Sequence, residues 1–404
     1  MAPVSDRLHL IDTLRAIALF GVIVMNFTGM VAALVGGEIF PSATPLDTAF
    51  ATFDLIVLQG KARSCFALLF GVGFGILMTR AAARGQPFVK FYLTRMTMLL
   101  LIGIFNLTLL FWGDILILYA LLGMVMILFR NSSDRFLFRT GLALVLVPPV
   151  LAGLYEAIAG APSPSLSGAS PDAASSAVVP IYRSGSYQEF AGANLRLYTD
   201  HYLSDTVYVL LYNLGVLGLF MLGFWVARNA VLADVERWRP SLRKIVWLCL
   251  PIGFILSIIH ATRRMGVEVE GAAYGLVTAA YAGLSITAFG YIAGLALLLS
   301  RRGSRVHAAL SPMGRMALTG YLASNFIGVF IWYGWGLGQL GRWNFTAINL
   351  LAFGVFALLC LFSWFWMKRF RFGPAEWVWR SATYRKLQPL LRREDRAMPQ
   401  GVTS

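Results

Sequence analysis

Charge is what this sequence has least of. Asp, Glu, Lys and Arg make up 13% of its 404 residues, against about a quarter in soluble globular domains. Carboxylates are the scarcer sign, 19 against 34 Lys and Arg. Cysteine is nearly missing: Cys65, Cys249 and Cys360 each lie in or beside an apolar run. Their spacing fits neither a metal site nor a disulfide framework, so they read as small packing residues. The four histidines show no zinc spacing, and no metal is expected. No small-residue cleavage site follows the first apolar run, which begins at Leu14, so that run reads as a retained helix and not a removed signal peptide.

What replaces charge is hydrocarbon. Hydrophobic residues reach 58% and the mean hydropathy is +0.69. Apolar stretches near 20 residues recur along the chain, the length that crosses a bilayer core. Ten spans are expected, at about 14–36, 64–80, 96–112, 115–130, 138–160, 206–227, 245–262, 272–299, 314–336 and 346–367. The fold class is therefore all-α, a polytopic transmembrane helix bundle. Its regions are a membrane half over 1–160, a loop over 161–205, a second half over 206–367 and a basic tail over 368–404. Segment 46–60 is too polar to span and too apolar for a free loop, so a surface or re-entrant helix is expected there. The loop opens Ser-, Ala- and Pro-rich, as flexible linkers do, and then turns aromatic, reading either as a lid or as a cap over helix ends. No repeat relates the two halves, so an inverted-repeat transporter architecture has no support.

The net charge of +15 is not a nucleic-acid signature, because the arginines fall in short clusters between apolar runs. Assigned alternately to two sides, 27 of the 34 Lys and Arg fall on one; the other seven are Lys61, Arg63, Arg183, Arg196, Arg263, Arg264 and Arg342. Such a bias places the rich side, with both termini, in the cytoplasm. The lipid bilayer is then the first partner, and the tail with Trp377 and Trp379 suits its anionic leaflet. Nothing in the sequence sets an oligomeric state.

Chemistry would have to come from the few polar groups inside this apolar frame. Asp12 and Arg15 share a helix face at the start of the first span. Asn26 lies eleven residues beyond Arg15, about 16 Å along a helix, where it reads as interhelical glue or as the lining of a polar cavity. Lys61 and Arg63 sit on the side that otherwise lacks cations and call for an anionic partner or ligand. In "GVGFG", Gly71 and Gly75 have the spacing that lets helices approach closely. Asp114, without another charge from Met96 to Phe129, is expected at the outer water boundary as a helix cap, two helical turns from Asn106. His260 and His201 are the imidazoles placed where a base could serve, or an interfacial anchor.

The segments "LRAIALFGVIVMN", "GKARSCFALLFGVGFGILMTRAAARG", "WGDILILYALLG", "GRMALTGYLASN" and "RFGPAEWVWRSATY" together resemble the YeiB-like (DUF418) family of bacterial inner-membrane proteins, almost end to end. That family is distantly similar to transmembrane acyltransferases. The resemblance implies acyl-CoA as a cytoplasmic co-substrate, no bound cofactor, and a small-molecule or glycan acceptor bearing a hydroxyl or amine on the far side. Type-three acyltransferases place a catalytic His eleven residues after an Arg; here Asn26 stands at that spacing from Arg15, and Asn106 stands where related YeiB-like sequences often carry His. Acyl transfer here would rest on Asp114, His260 or His201 as base. Arg15 and the cytoplasmic arginines would hold the CoA phosphates, Asn26 and Asn106 would donate to an oxyanion, and Lys61 and Arg63 would bind substrate. The alternatives are a permease for a small anionic or amphiphilic solute, or a non-catalytic membrane protein on the same frame.

Overall fold

The computed structural model describes residues 4–35, 44–159, 172–204, 206–262, 267, 269, 271–302 and 304–392. Among them no strand forms, and helices follow one another in chain order: α1 (Val4–Val35), α2 (Pro45–Phe53), α3 (Lys61–Ala83), α4 (Phe88–Leu109), α5 (Leu116–Val125), α6 (Asp134–Ala159), α7 (Asp172–Ser184), α8 (Tyr187–Ser204), α9 (Thr206–Arg228), α10 (Val235–Ala261), α11 (Ala273–Ala279), α12 (Ala282–Arg302), α13 (Ser304–Arg315), α14 (Ala317–Trp332), α15 (Phe345–Arg369) and α16 (Pro374–Tyr384). Helix is what an apolar environment demands, since it satisfies backbone N–H and C=O groups within one segment.

Among the described residues, seven stretches are long and apolar enough to cross a membrane: His9–Val31, Pro45–Ala83, Phe88–Leu109, Asp134–Ile158, Val235–Ala261, Ala273–Ser300 and Phe345–Arg369. Leu116–Phe129, Tyr212–Arg228 and Ala317–Trp332 are shorter apolar helices. The ten stretches read from the sequence each fall on one of these ten. The protein is a polytopic helical membrane protein.

Segment 46–60 forms α2 and a π-helical turn, Asp54–Leu58, and reaches α3 through Gly60, whose φ of 74° favours glycine. Its carboxylates turn inward. Asp47 completes a capping box with Thr44 and also accepts from the Thr346 backbone N–H at 2.8 Å and the Thr346 hydroxyl at 2.6 Å, which fastens α2 to the start of α15.

The glycines of "GVGFG" divide their work. A Cβ on Gly71 would come within 2.1 Å of the Phe220 carbonyl oxygen, and one on Gly75 within 2.6 Å of the Ala227 Cβ, so both let α3 lie directly on α9. Gly73 points elsewhere, 3.3 Å from the Arg15 guanidinium by the same measure. At the opposite end, α7 and α8 cover helix ends: the Asn194 amide donates to the Thr108 carbonyl at 3.2 Å and the Tyr187 hydroxyl to the Leu109 carbonyl at 2.8 Å.

Candidate functional site

Helix α3 turns Phe66, Phe70, Gly73, Leu77 and Arg80 along one stripe, at helical spacing, into a pocket of about 410 Å³. Six arginines from different parts of the chain converge on its walls: Arg15 from α1, Arg80 from α3, Arg95 from α4, Arg315 from the end of α13, Arg371, and Arg380 from α16. Arg80, Arg315 and Arg371 are exposed and the other three half-buried, so this is the mouth. Acidic groups on the wall are Asp12, paired with Arg15 at 3.1 Å, and Glu376. Arg95 lies over the Trp379 ring at 3.6 Å and Arg380 over Phe372 at 4.4 Å, contacts that hold a guanidinium without neutralising it. Burial pulls the Arg380 and Arg315 guanidinium groups below their ordinary range, and the cations Arg80 and Arg392 lower them further. The mouth is a concentrated positive site, and an anion is what it would attract.

Glu376 serves another helix. Its carboxylate accepts from the Leu318 N–H at 2.7 Å, the Thr319 N–H at 3.1 Å and the Thr319 hydroxyl at 2.5 Å, capping the free amides that open α14. Burial nonetheless raises its pKa above the ordinary carboxylate range. A carboxyl with a raised folded value favours the folded form while protonated, so its contribution is present below about pH 4.3 and fades as the pH rises through the raised value. Proteolysis of α16 should therefore quicken as the pH climbs from 4, and Glu376→Gln should flatten that dependence. An equal dependence in both proteins would refute this account.

The deep end is apolar and aromatic, closed by Phe66, Phe70, Ile115, Leu116, Tyr119 and Tyr321. Behind Tyr321 runs a chain of side-chain amides. The Asn26 amide donates to Asn325 at 2.9 Å, Asn325 to Asn106 at 3.2 Å, and Asn106 to Asp114 at 2.7 Å, while the other Asp114 oxygen accepts the Ile117 N–H at 2.8 Å. The Ile115 N–H points to the Tyr321 hydroxyl at 3.4 Å, and Asp114, Asn106 and Asn325 all neighbour that hydroxyl. Asp114 thus caps α5, but it is buried, not at a water boundary. The connector between α4 and α5 folds inward, beneath the end of α4 that α8 covers.

Of the residues singled out in the sequence, the structure brings Asn26, Asn106 and Asp114 together, and Arg15 lines the pocket mouth. Lys61 is buried and donates to the Leu55 carbonyl at 2.8 Å, a carbonyl of the π-helical turn. Arg63 and His260 converge on Tyr281: Arg63 donates to its hydroxyl at 3.2 Å, and the His260 ring meets its ring edge at 5.3 Å. His260 also contacts the Val277 carbonyl at 3.2 Å. This second cluster touches the pocket wall through Tyr119, whose hydroxyl donates to the Arg63 carbonyl at 3.2 Å. His201 lies in α8, with its side chain outside the described residues, as Arg263 and Arg264 are altogether. The described residues hold no group of three or more His, Cys, Asp or Glu able to bind a metal.

Sequence reading alone missed Asn325, Tyr321 and Tyr119 as site residues, and of the six arginines it named only Arg15. A signal was present. Arg15 precedes Asn26 by eleven residues, Arg95 precedes Asn106 by eleven and Arg315 precedes Asn325 by ten. On α1 and α4 an arginine at the mouth is followed about 16 Å deeper by an asparagine of the chain, and Arg315, which ends α13, stands the same way before Asn325 of α14.

The model of the family described as "Protein of unknown function (DUF418)" matches residues 226–386. That stretch contains Arg315, Tyr321, Asn325, Arg371, Glu376 and Arg380. The chain is 29% identical to the uncharacterized protein YxaH of Bacillus subtilis over 96% of its own length and 97% of that protein. It is also 29% identical to the uncharacterized protein YeiB of Escherichia coli, over 97% of its length and all of that protein. The chain is similar to the DUF418 family over that stretch and to YxaH and YeiB over nearly its whole length. The matched segment supplies only part of the pocket: α1, α3, α4 and α5, which provide Arg15, Arg80, Arg95 and Tyr119, precede it. A complete site needs both halves of the chain, which agrees with the near full-length match to YxaH and YeiB.

Proposed function

We propose that this protein is a transmembrane acyltransferase of the bacterial inner membrane, taking an acyl group from cytoplasmic acyl-CoA and giving it to a hydroxyl or amine acceptor. The observation that carries the reading is the pocket: a mouth of six arginines, an apolar and aromatic body, and a closed end against the Asp114 network. Phosphates suit the arginines, and the thioester arm suits the apolar body. The acceptor oxygen or nitrogen attacks the thioester carbonyl, a C–O or C–N bond forms, the C–S bond breaks, and the sulfur leaves as a thiolate or takes the acceptor's proton. Tyr321, whose hydroxyl faces the Ile115 N–H and the Asn106 and Asn325 amides, would turn its hydrogen to the developing oxyanion. Asp114 is the carboxylate nearest this point and the group to which the acceptor's proton is assigned.

Acetyl-CoA should raise the thermal midpoint of the purified protein, and Arg15→Ala together with Arg315→Ala should abolish the rise. No shift at millimolar ligand would sink the reading. One observation favours a permease instead: the pocket opens at one end and is shut at the other by aromatic rings and the amide chain, as an occluded vestibule would be. Flux of a solute into proteoliposomes without covalent change would mark transport. Release of free CoA with an acylated product would mark transfer.

A further inference from the structure

We propose, resting on the acyl-CoA reading above, that the pocket selects short acyl chains, of about two to six carbons, by its depth. Helix α3 runs the length of the pocket, from Arg80 at the mouth to Phe66 at the closed end. These positions are fourteen residues apart, about 21 Å along the helix. The arm of CoA between its diphosphate and its sulfur is a chain of twelve bonds, the backbone length of four extended residues, or about 14 Å. With the phosphates held at the level of Arg80, about 7 Å remains, the length of two extended residues and about six bonds.

The end wall does not yield easily. Tyr119 meets Phe70 at 5.3 Å and Phe220 at 5.1 Å, both edge to face, and Phe70 stacks on Phe220 at 4.6 Å. Phe220 is the residue whose carbonyl Gly71 admits, so the rings are backed by the tight contact between α3 and α9. On the other side Tyr321 is backed by Asn325 and Asn106. The total volume of about 410 Å³ lies toward the small end of ligand pockets. A long chain would have to displace this wall or leave the head group outside the arginines.

The test is calorimetric titration of the full chain in nanodiscs with CoA, acetyl-, butyryl-, hexanoyl-, decanoyl- and palmitoyl-CoA, with empty nanodiscs as the blank. CoA through hexanoyl-CoA should bind within about threefold of one another, and decanoyl- and palmitoyl-CoA about tenfold more weakly or worse. Long chains binding as well as acetyl-CoA would overturn the depth selection while leaving the acyl-CoA reading intact. Failure of every ligand, CoA included, would overturn that reading itself. Phe66→Ala should move the cut-off toward longer chains, and an unmoved cut-off in a protein that still binds CoA would also overturn the proposal.

Discussion

Gly71→Ala should lower the stability of the protein by about 3 kcal/mol, the upper end of what overpacking a close contact costs. The methyl group would meet the Phe220 carbonyl oxygen at 2.1 Å, and the facing contact is just as tight, since a Cβ on Gly223 would meet the Leu68 carbonyl oxygen at 2.0 Å. Each helix therefore presses its glycine onto the other's backbone. A backbone carbonyl inside a helix cannot swing aside as a side chain can, so relief requires α3 and α9 to part along their length. Parting them withdraws Phe220 from Phe70 and Tyr119, and ligand binding should weaken along with stability. Gly215→Ala is the control. It lies on the same helix α9 with no heavy atom within 4 Å of the added carbon, and should be neutral or gain up to about 1 kcal/mol from helix propensity. Denaturation of the three proteins in one detergent measures the effect; a Gly71→Ala protein as stable as the unmodified one would remove close backbone packing as the reason for "GVGFG".

Local features of this kind were legible in the sequence because they repeat over one or two helical turns. Apolar runs gave the helices, and Gly71 with Gly75 gave a packing face. The eight-residue separation of Asn106 and Asp114 gave a pair that the structure joins directly. What stayed hidden depends on chain returning from far away. Asn325 reaches Asn106 across 219 positions, and no periodicity encodes that. Arg95 and Arg380 looked like ordinary cations of a helix end and of a basic tail; only the docking of α16 on α4, with the Trp379 indole donating to the Arg95 carbonyl at 2.8 Å, turns them toward one pocket. Asp114 was expected at the water boundary because span arithmetic sees where a helix ends and not what covers it. The cover is α8, holding the Thr108 and Leu109 carbonyls through Asn194 and Tyr187.

Asp114→Ala should cost about 4 kcal/mol, whereas Asp114→Asn should cost about 1 kcal/mol or less. The difference lies in what each leaves unpaired. Alanine strands two buried donors, the Asn106 amide and the Ile117 N–H, at about 1–3 kcal/mol each. Asparagine keeps an oxygen for Ile117 but presents an NH2 to the Asn106 NH2. The amide chain has a direction, with every NH2 pointing from Asn26 toward the carboxylate; the carboxylate, an acceptor only, sets it, since the Tyr321 hydroxyl beside Asn106 and Asn325 can donate or accept. Rotating the three amides by half a turn reverses the direction, and each link again joins an NH2 to an oxygen. Asn106→Leu cannot be rescued this way: it leaves the Asp114 oxygen without the amide it faces and the Asn325 NH2 without its acceptor, and should fall near the alanine variant. Thermal denaturation of the three proteins tests the packing, and acyl transfer measured on the Asp114→Asn protein separates structure from chemistry. If the asparagine variant is as unstable as the alanine one, the directional chain is wrong. If it folds and still transfers acyl groups at the unmodified rate, Asp114 is a cap for α5 and an anchor for the amides, and the proton must go to another group.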